Sequence, residues 1–124
     1  MRSTWMLALL LAVAVSAPGC KKQEAAPPPA DNRPPPMPEA ELRRGADACK
    51  AYVDKVCACA NTVAAATERC ALAKALPEAI EVARQVSMSK DSVRLDVLQA
   101  ADSIRKTVAQ CIEQTAQLPT LGCP

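Results

Sequence analysis

Seven cysteines, Cys20, Cys49, Cys57, Cys59, Cys70, Cys111 and Cys123, are the residues of this chain with the most chemistry to offer. Cys57-Ala58-Cys59 forms a C-x-C, a spacing found in some metal sites and thiol-exchange proteins, and Cys49 or Cys70 could complete a four-sulfur tetrahedral shell. The spacing is not the C-x-x-C of zinc knuckles and redox helices, and the chain has no His to serve as a further ligand. The lack of His also leaves every Ser and Thr without the usual base of a nucleophilic site. The carboxylate pairs Glu78 with Glu81 and Asp91 with Asp102 fall at surface spacings on charged helix faces, where solvation explains them. The three glycines build no phosphate-cradling loop. The residues therefore point away from an enzyme, and no metal or cofactor is expected.

What the cysteines do instead depends on the compartment the chain reaches. Its start is a short basic segment, Met1-Arg2-Ser3-Thr4, then an apolar run from Trp5 to Val15, then the small or bent residues Ser16-Ala17-Pro18-Gly19. That order is a secretory signal peptide. The apolar run of 11 residues would cover about 16 Å as a helix, too little for a hydrocarbon core of about 30 Å.

The junction Ala17-Pro18-Gly19-Cys20 resembles the lipobox of the bacterial lipoproteins. It matches at Gly19 and Cys20, and has Ala17 where Leu is usual and Pro18 where Ala or Ser is commoner. The resemblance covers residues 1–20. It implies removal of residues 1–19 and a mature N-terminus at Cys20, carrying a diacylglycerol thioether and an N-acyl chain. Two or more acyl chains give a durable hold on a bilayer, at about 0.8 kcal/mol per buried methylene. In that family an Asp directly after the Cys tends to retain the protein at the inner membrane. Lys21 stands there in this chain, which favours the outer membrane of a bacterial cell envelope.

Residues 20–38 then form a lipidated cysteine and a spacer. Seven prolines between Lys21 and Pro38 (Pro27, Pro28, Pro29, Pro34, Pro35, Pro36 and Pro38) favour extended polyproline II with little apolar surface to bury. At about 3.1 Å per residue such a spacer reaches about 55 Å. A PxxP ligand for an adaptor domain is the sharper reading of the same run, and a spacer behind a lipid anchor the plainer one.

Residues 39–124 are expected to be one cysteine-rich helical domain. They hold 11 Lys and Arg against 11 Asp and Glu. Such a balance lacks the basic face that nucleic acid requires, so no nucleic-acid partner is expected. Apolar periodicity is helical throughout. Leu42, Ala46, Cys49, Val53, Val56 and Ala60 form one seam, with Tyr52 and Cys57 on its shoulders, in a helix from Pro38 to about Cys59. Ala66, Cys70, Ala73, Leu76, Ile80 and Ala83 form a second, with Asn61 or Thr62 as N-cap and a kink or restart at Pro77. Val97, Ala101, Ile104, Val108, Cys111 and Thr115 form a third, capped by Ser89, with Asp102 and Lys106 paired on its wet face. Short turns make this an all-α, antiparallel, up-down-up three-helix bundle.

Its core is poor. The chain has no Phe, its one Trp lies in the signal segment, and Tyr52 is its one Tyr. Alanine-rich seams bury little area per residue. An exported chain with six cysteines besides Cys20 answers that lack with disulfides. Helix counting leaves two arrangements open. One pairs Cys49 with Cys70, Cys57 with Cys111, and Cys59 with Cys123. The other pairs Cys59 with Cys70, Cys57 with Cys111, and Cys49 with Cys123. Both contain Cys57 with Cys111, the favoured pair.

The resulting expectation is a lipid-anchored envelope protein, bound to the membrane through Cys20, with a structural or protein-interaction role. A cysteine-based metal or redox module is the alternative. Val82, Val86, Leu95 and Leu98, apolar but off the seams, are the expected contact strip for a protein partner.

Overall fold

The structure, a computed structural model, describes residues 32–124. The lipidation site Cys20 and the signal segment lie outside the described residues. The domain is an all-α bundle of three rods, with no strand among the described residues. Helix α1 spans Glu39–Cys59, α2 Ala65–Ala73, α3 Leu76–Met88 and α4 Arg94–Gln117, followed by a 3-10 turn at Leu118–Leu121. Helices α2 and α3 together make the second rod.

The break in that rod has a simple origin. Pro77 has no N–H to donate to Ala73, and it sits in the first turn of α3, where that lack costs nothing. The chain bridges the gap with tight bonds, Lys74 N–H to Cys70 O at 3.3 Å and Ala75 N–H to Leu72 O at 3.2 Å.

The helix ends use other caps than the sequence suggests. Thr62 does not cap α2. Its hydroxyl donates to Cys59 O at 3.2 Å and so closes the end of α1, while Ala64 occupies the N-cap of α2. Neither Asn61 nor Thr62 starts that helix. Ser89 likewise ends α3 instead of starting α4. The N-cap of α4 is Val93, whose N–H donates to the Asp96 carboxylate at 2.9 Å, the half of a capping box that an apolar cap residue still permits.

The buried stripe of α1 is Leu42, Gly45, Cys49, Tyr52, Val56 and Cys59, a strict three-four repeat. It is turned slightly from the expected seam. Ala46, Val53 and Ala60 are only half-buried, whereas Tyr52 is central at 3% exposure. Ala66, Ala73, Ile80 and Ala83 face it from the second rod, and Ala100, Ile104 and Cys111 from α4, while Val97 is buried outside this cluster. Val56, Val97, Cys49 and Cys111 are the largest fully buried side chains of the domain.

Residues 32–38, sequence-wise the end of the spacer, run as an extended strap against the helices. The Arg33 guanidinium donates to Ser89 O at 2.8 Å and Ser92 O at 3.3 Å. In return Arg94 donates to Asn32 O at 3.3 Å. Met37 packs against the core. No basic residue lies in the last turn of α3, so Arg33 supplies from the strap the cation that a helix C-terminus favours.

Direct contacts give the register of α1 on α4. Glu41 meets Arg105 at 2.9 Å, and Gly45 lies under Val108. Helix α1 therefore starts about two turns up α4, and the strap occupies the level below.

Gly45 marks the closest approach of these two rods. A Cβ built there would stand 2.5 Å from Val108 Cγ2, and a valine in a helix has one strongly preferred rotamer and cannot swing away. Alanine gains about 1 kcal/mol over glycine in a helix, but overpacking costs about 1–3 kcal/mol. Gly45→Ala is expected to destabilise the native protein by about 1 kcal/mol, and to stabilise it by a similar amount in a Val108→Ala background. Urea denaturation of the four proteins reads the change of sign, and the same sign in both backgrounds would show that the contact does not limit the approach.

Candidate functional site

All six domain cysteines are paired: Cys49 with Cys111, Cys57 with Cys70, and Cys59 with Cys123. Their Cα separations, 5.0, 4.8 and 5.5 Å, suit unforced disulfides. Each bond has one partner on α1. Cys49, fully buried in the α1 stripe, meets Cys111, fully buried in α4. Cys57 on the shoulder meets Cys70 of α2. Cys59 meets Cys123, brought into place by the 3-10 turn and by Gly122, whose φ of 86° is in the left-handed region that glycine tolerates. Cys123 N–H then donates to Leu118 O at 3.1 Å.

The favoured pair Cys57 with Cys111 is therefore wrong, and of the remaining expected pairs only Cys59 with Cys123 is found. The reason is register. Level helix starts would place Cys111 near Cys57, but α1 starts about two turns up α4, which brings Cys49 to Cys111. The phase of α1 agrees, since Cys49 is in the buried stripe and Cys57 is outside it.

Helix geometry also decides what Cys57-Ala58-Cys59 can do. Residues two apart on an α-helix lie about 200° apart around the axis. The two sulfurs of the C-x-C face opposite sides, one toward α2 and one toward the C-terminal turn. They cannot chelate one ion from this helix, and no group of His, Cys, Asp and Glu among the described residues is placed to hold a metal.

The surface is better furnished than the interior. A groove of about 570 Å³ runs between α3 and α4. Its floor is Ala79, Ala83 and Ala100, its apolar wall Val82 and Val86, and Asp96 stands at its edge. The expected strip of Val82, Val86, Leu95 and Leu98 is exposed at all four positions, but it is not one strip. Val82 and Val86 line this groove, and Leu95 and Leu98 do not. A second groove of about 370 Å³ lies over the close contact of α1 and α4, between Met37, Ile104 and Ile112. A third of the same volume receives the edge of Tyr52 beside Arg69, which donates to Gln114 at 2.8 Å.

Charge on this surface is locally paired. Lys106 meets Asp102 at 2.7 Å as expected, and Lys50 meets Asp54 at 2.7 Å. The Glu78 and Glu81 carboxylates do not act as a pair. Arg84 grips Glu81 with two bonds of 2.8 and 2.6 Å, and Gln85 adds a third at 3.0 Å. The Arg84 bonds, then the Gln85 bond, hold the Glu81 carboxyl down to a pKa of about 2. Among the described residues, no helix is long and apolar enough to cross a membrane.

No family model, curated protein or solved structure matches the chain.

Two predictions come from these interactions. Loop-closure entropy makes the bonds with sequence separations of 62 and 64 worth about 4 kcal/mol each, and the one with a separation of 13 about 3 kcal/mol. Replacing each pair by Ala should therefore cost least for Cys57 with Cys70 and most for Cys49 with Cys111, where an apolar cavity adds to the loss. Urea titration of the three double variants gives the order, and the greatest loss at Cys57 with Cys70 would contradict it. For Glu81, a depressed carboxylate contributes stability above its unfolded pKa, near 4.5, and loses it as pH falls through about 2. Carbon-detected NMR should find the Glu81 midpoint well below 4.5, and Arg84→Gln should raise it.

Proposed function

We propose that this chain is a lipid-anchored protein of the bacterial cell envelope, held to the membrane through Cys20, whose disulfide-stabilised helical domain works by protein contact and not by catalysis. The observation that carries the reading is the commitment of Cys49, Cys57, Cys59, Cys70, Cys111 and Cys123 to three disulfides. Such a framework suits an oxidising compartment outside the cytoplasm. The lipobox-like Ala17-Pro18-Gly19-Cys20 supplies the route there, and it leaves Cys20 as the seventh cysteine with a separate use.

Two further features support contact over chemistry. A thiolate is the nucleophile and the metal ligand of cysteine sites, and sulfurs held in disulfides on opposite sides of α1 offer none. The alanine floor of the α3–α4 groove, with Val82 and Val86 beside it, is the kind of apolar recess into which a partner's helix or loop can set a side chain.

Intact mass of the membrane-extracted protein tests the reading, with thiol alkylation performed before and after reduction. The expected protein starts at acylated Cys20, takes no label unreduced, and takes six after reduction. Two or more thiols labelled before reduction would favour the metal or redox alternative, and an unacylated N-terminus would remove the anchor.

A further inference from the structure

The strap determines where the chain leaves the domain. Asn32 is held by Arg94 at the first turn of α4, and Arg33 by the carbonyls of Ser89 and Ser92 in the α3–α4 turn. The chain thus exits beside that turn, at one end of the bundle. Between Cys20 and Asn32 lie eleven residues, 21–31, whose full reach is about 40 Å. Helix α4, with 24 residues, is about 36 Å long. For the opposite end of the bundle to touch a membrane that holds Cys20, the tether would have to stand almost fully stretched, at the expense of most of its conformational freedom.

The same end carries exposed apolar side chains that the core does not use. Met88 ends α3, Val93 caps α4 and Leu95 begins it, at 59, 61 and 59% exposure. Lys90 and Arg94 flank them together with Asp91 and Asp96, so the charges of the turn balance, and the Asp96 carboxylate accepts from Val93 N–H. Exposed apolar side chains on a turn without net negative charge suit the headgroup boundary of a bilayer, where their apolar parts leave water.

We propose that the α3–α4 turn, with Met88, Val93 and Leu95, is a membrane-contacting surface, and that the Arg33 strap orients the domain by bringing the tether out beside it. The proposal rests on the acylation of Cys20 proposed above. The domain then lies with its α3–α4 end on the lipid and its Cys59–Cys123 end away from it. The stand-off is shorter than the 55 Å of a free spacer. This orientation leaves the α3–α4 groove open along the side of the bundle to a partner at the same membrane.

The mature chain has no Trp, so a single introduced one reports without interference. Full-length acylated protein carrying Val93→Trp, or Ile112→Trp as a control, is placed in vesicles of phosphatidylethanolamine and phosphatidylglycerol with brominated acyl chains. The two sites are similarly exposed, at 61 and 58%, and about 28 Å apart along α4. Quenching at residue 93 should exceed that at residue 112 at least threefold, and Arg33→Ala should reduce the difference. Intact mass is read on the same samples. Acylated protein with equal or reversed quenching overturns this inference and leaves the anchor standing. Protein without acylation overturns both.

Discussion

Helix α1 is the hub of the domain, tied by disulfides to three other segments. Cys49 reaches α4, Cys57 reaches α2, and Cys59 reaches the C-terminal turn. The arrangement follows from the poverty of the apolar core. One buried ring, Tyr52, and stripes in which Ala66, Ala73, Ala83 and Ala100 stand where larger residues would bury more cannot offset the entropy of ordering about ninety residues by a wide margin. Cross-links that close loops of 62 and 64 residues act on the other side of that balance, by reducing the freedom of the unfolded chain. Small side chains and sulfurs also let the rods approach closely. That is why Gly45 can sit against Val108 and why the Cys49–Cys111 bond joins the middle of α1 to the last third of α4.

Much of the fold was legible because helical phase is a local property. The three rods, the end of α1 at Cys59, the break at Pro77 and the Asp102–Lys106 pair all depend on residues within a turn or two of one another. Register was not legible, because periodicity fixes which side of a helix is apolar and says nothing of how far one helix slides along the next. Residues 32–38 occupy the level that the offset leaves below α1, and their proline-rich composition suggested a spacer with no contacts. One signal was overlooked. Cys49, Cys70 and Cys111 lie on the apolar seams and Cys57 does not, which argues against Cys57 with Cys111 but leaves Cys49 open to either seam partner. The cap of α4 was missed for a different reason. An Asp three residues into a helix can serve the N-cap backbone whatever the N-cap side chain, and Val93 gave no sign of it.

The same scarcity of large side chains that calls for disulfides shapes the surface. Alanines at 79, 83 and 100 leave the line between α3 and α4 open, and Val82 and Val86 remain exposed beside it. In a bundle with leucine at such positions the groove would be filled from within. Stability here comes from bonds that need little apolar area, which frees apolar residues for the outside. The fully buried sulfurs of Cys49 and Cys111 thus bear on the surface without lying on it.

Proline explains why the strap is held as it is. Pro34, Pro35 and Pro36 have no N–H, so the segment cannot pair through its backbone as a strand would. It must be fastened by side chains and by the carbonyls it still possesses. Arg33 donates into the turn after α3, Arg94 donates to Asn32 O, and Met37 enters the core. Three contacts of different kinds within six residues secure an extended segment that has no ladder of its own. Prolines also restrict the unfolded strap, so the entropy lost on docking is smaller than for an ordinary chain. A composition suited to holding a domain away from a surface is, over its last seven residues, equally suited to lying down on that domain, and the side chains of Arg33 and Met37 determine where the first use ends and the second begins.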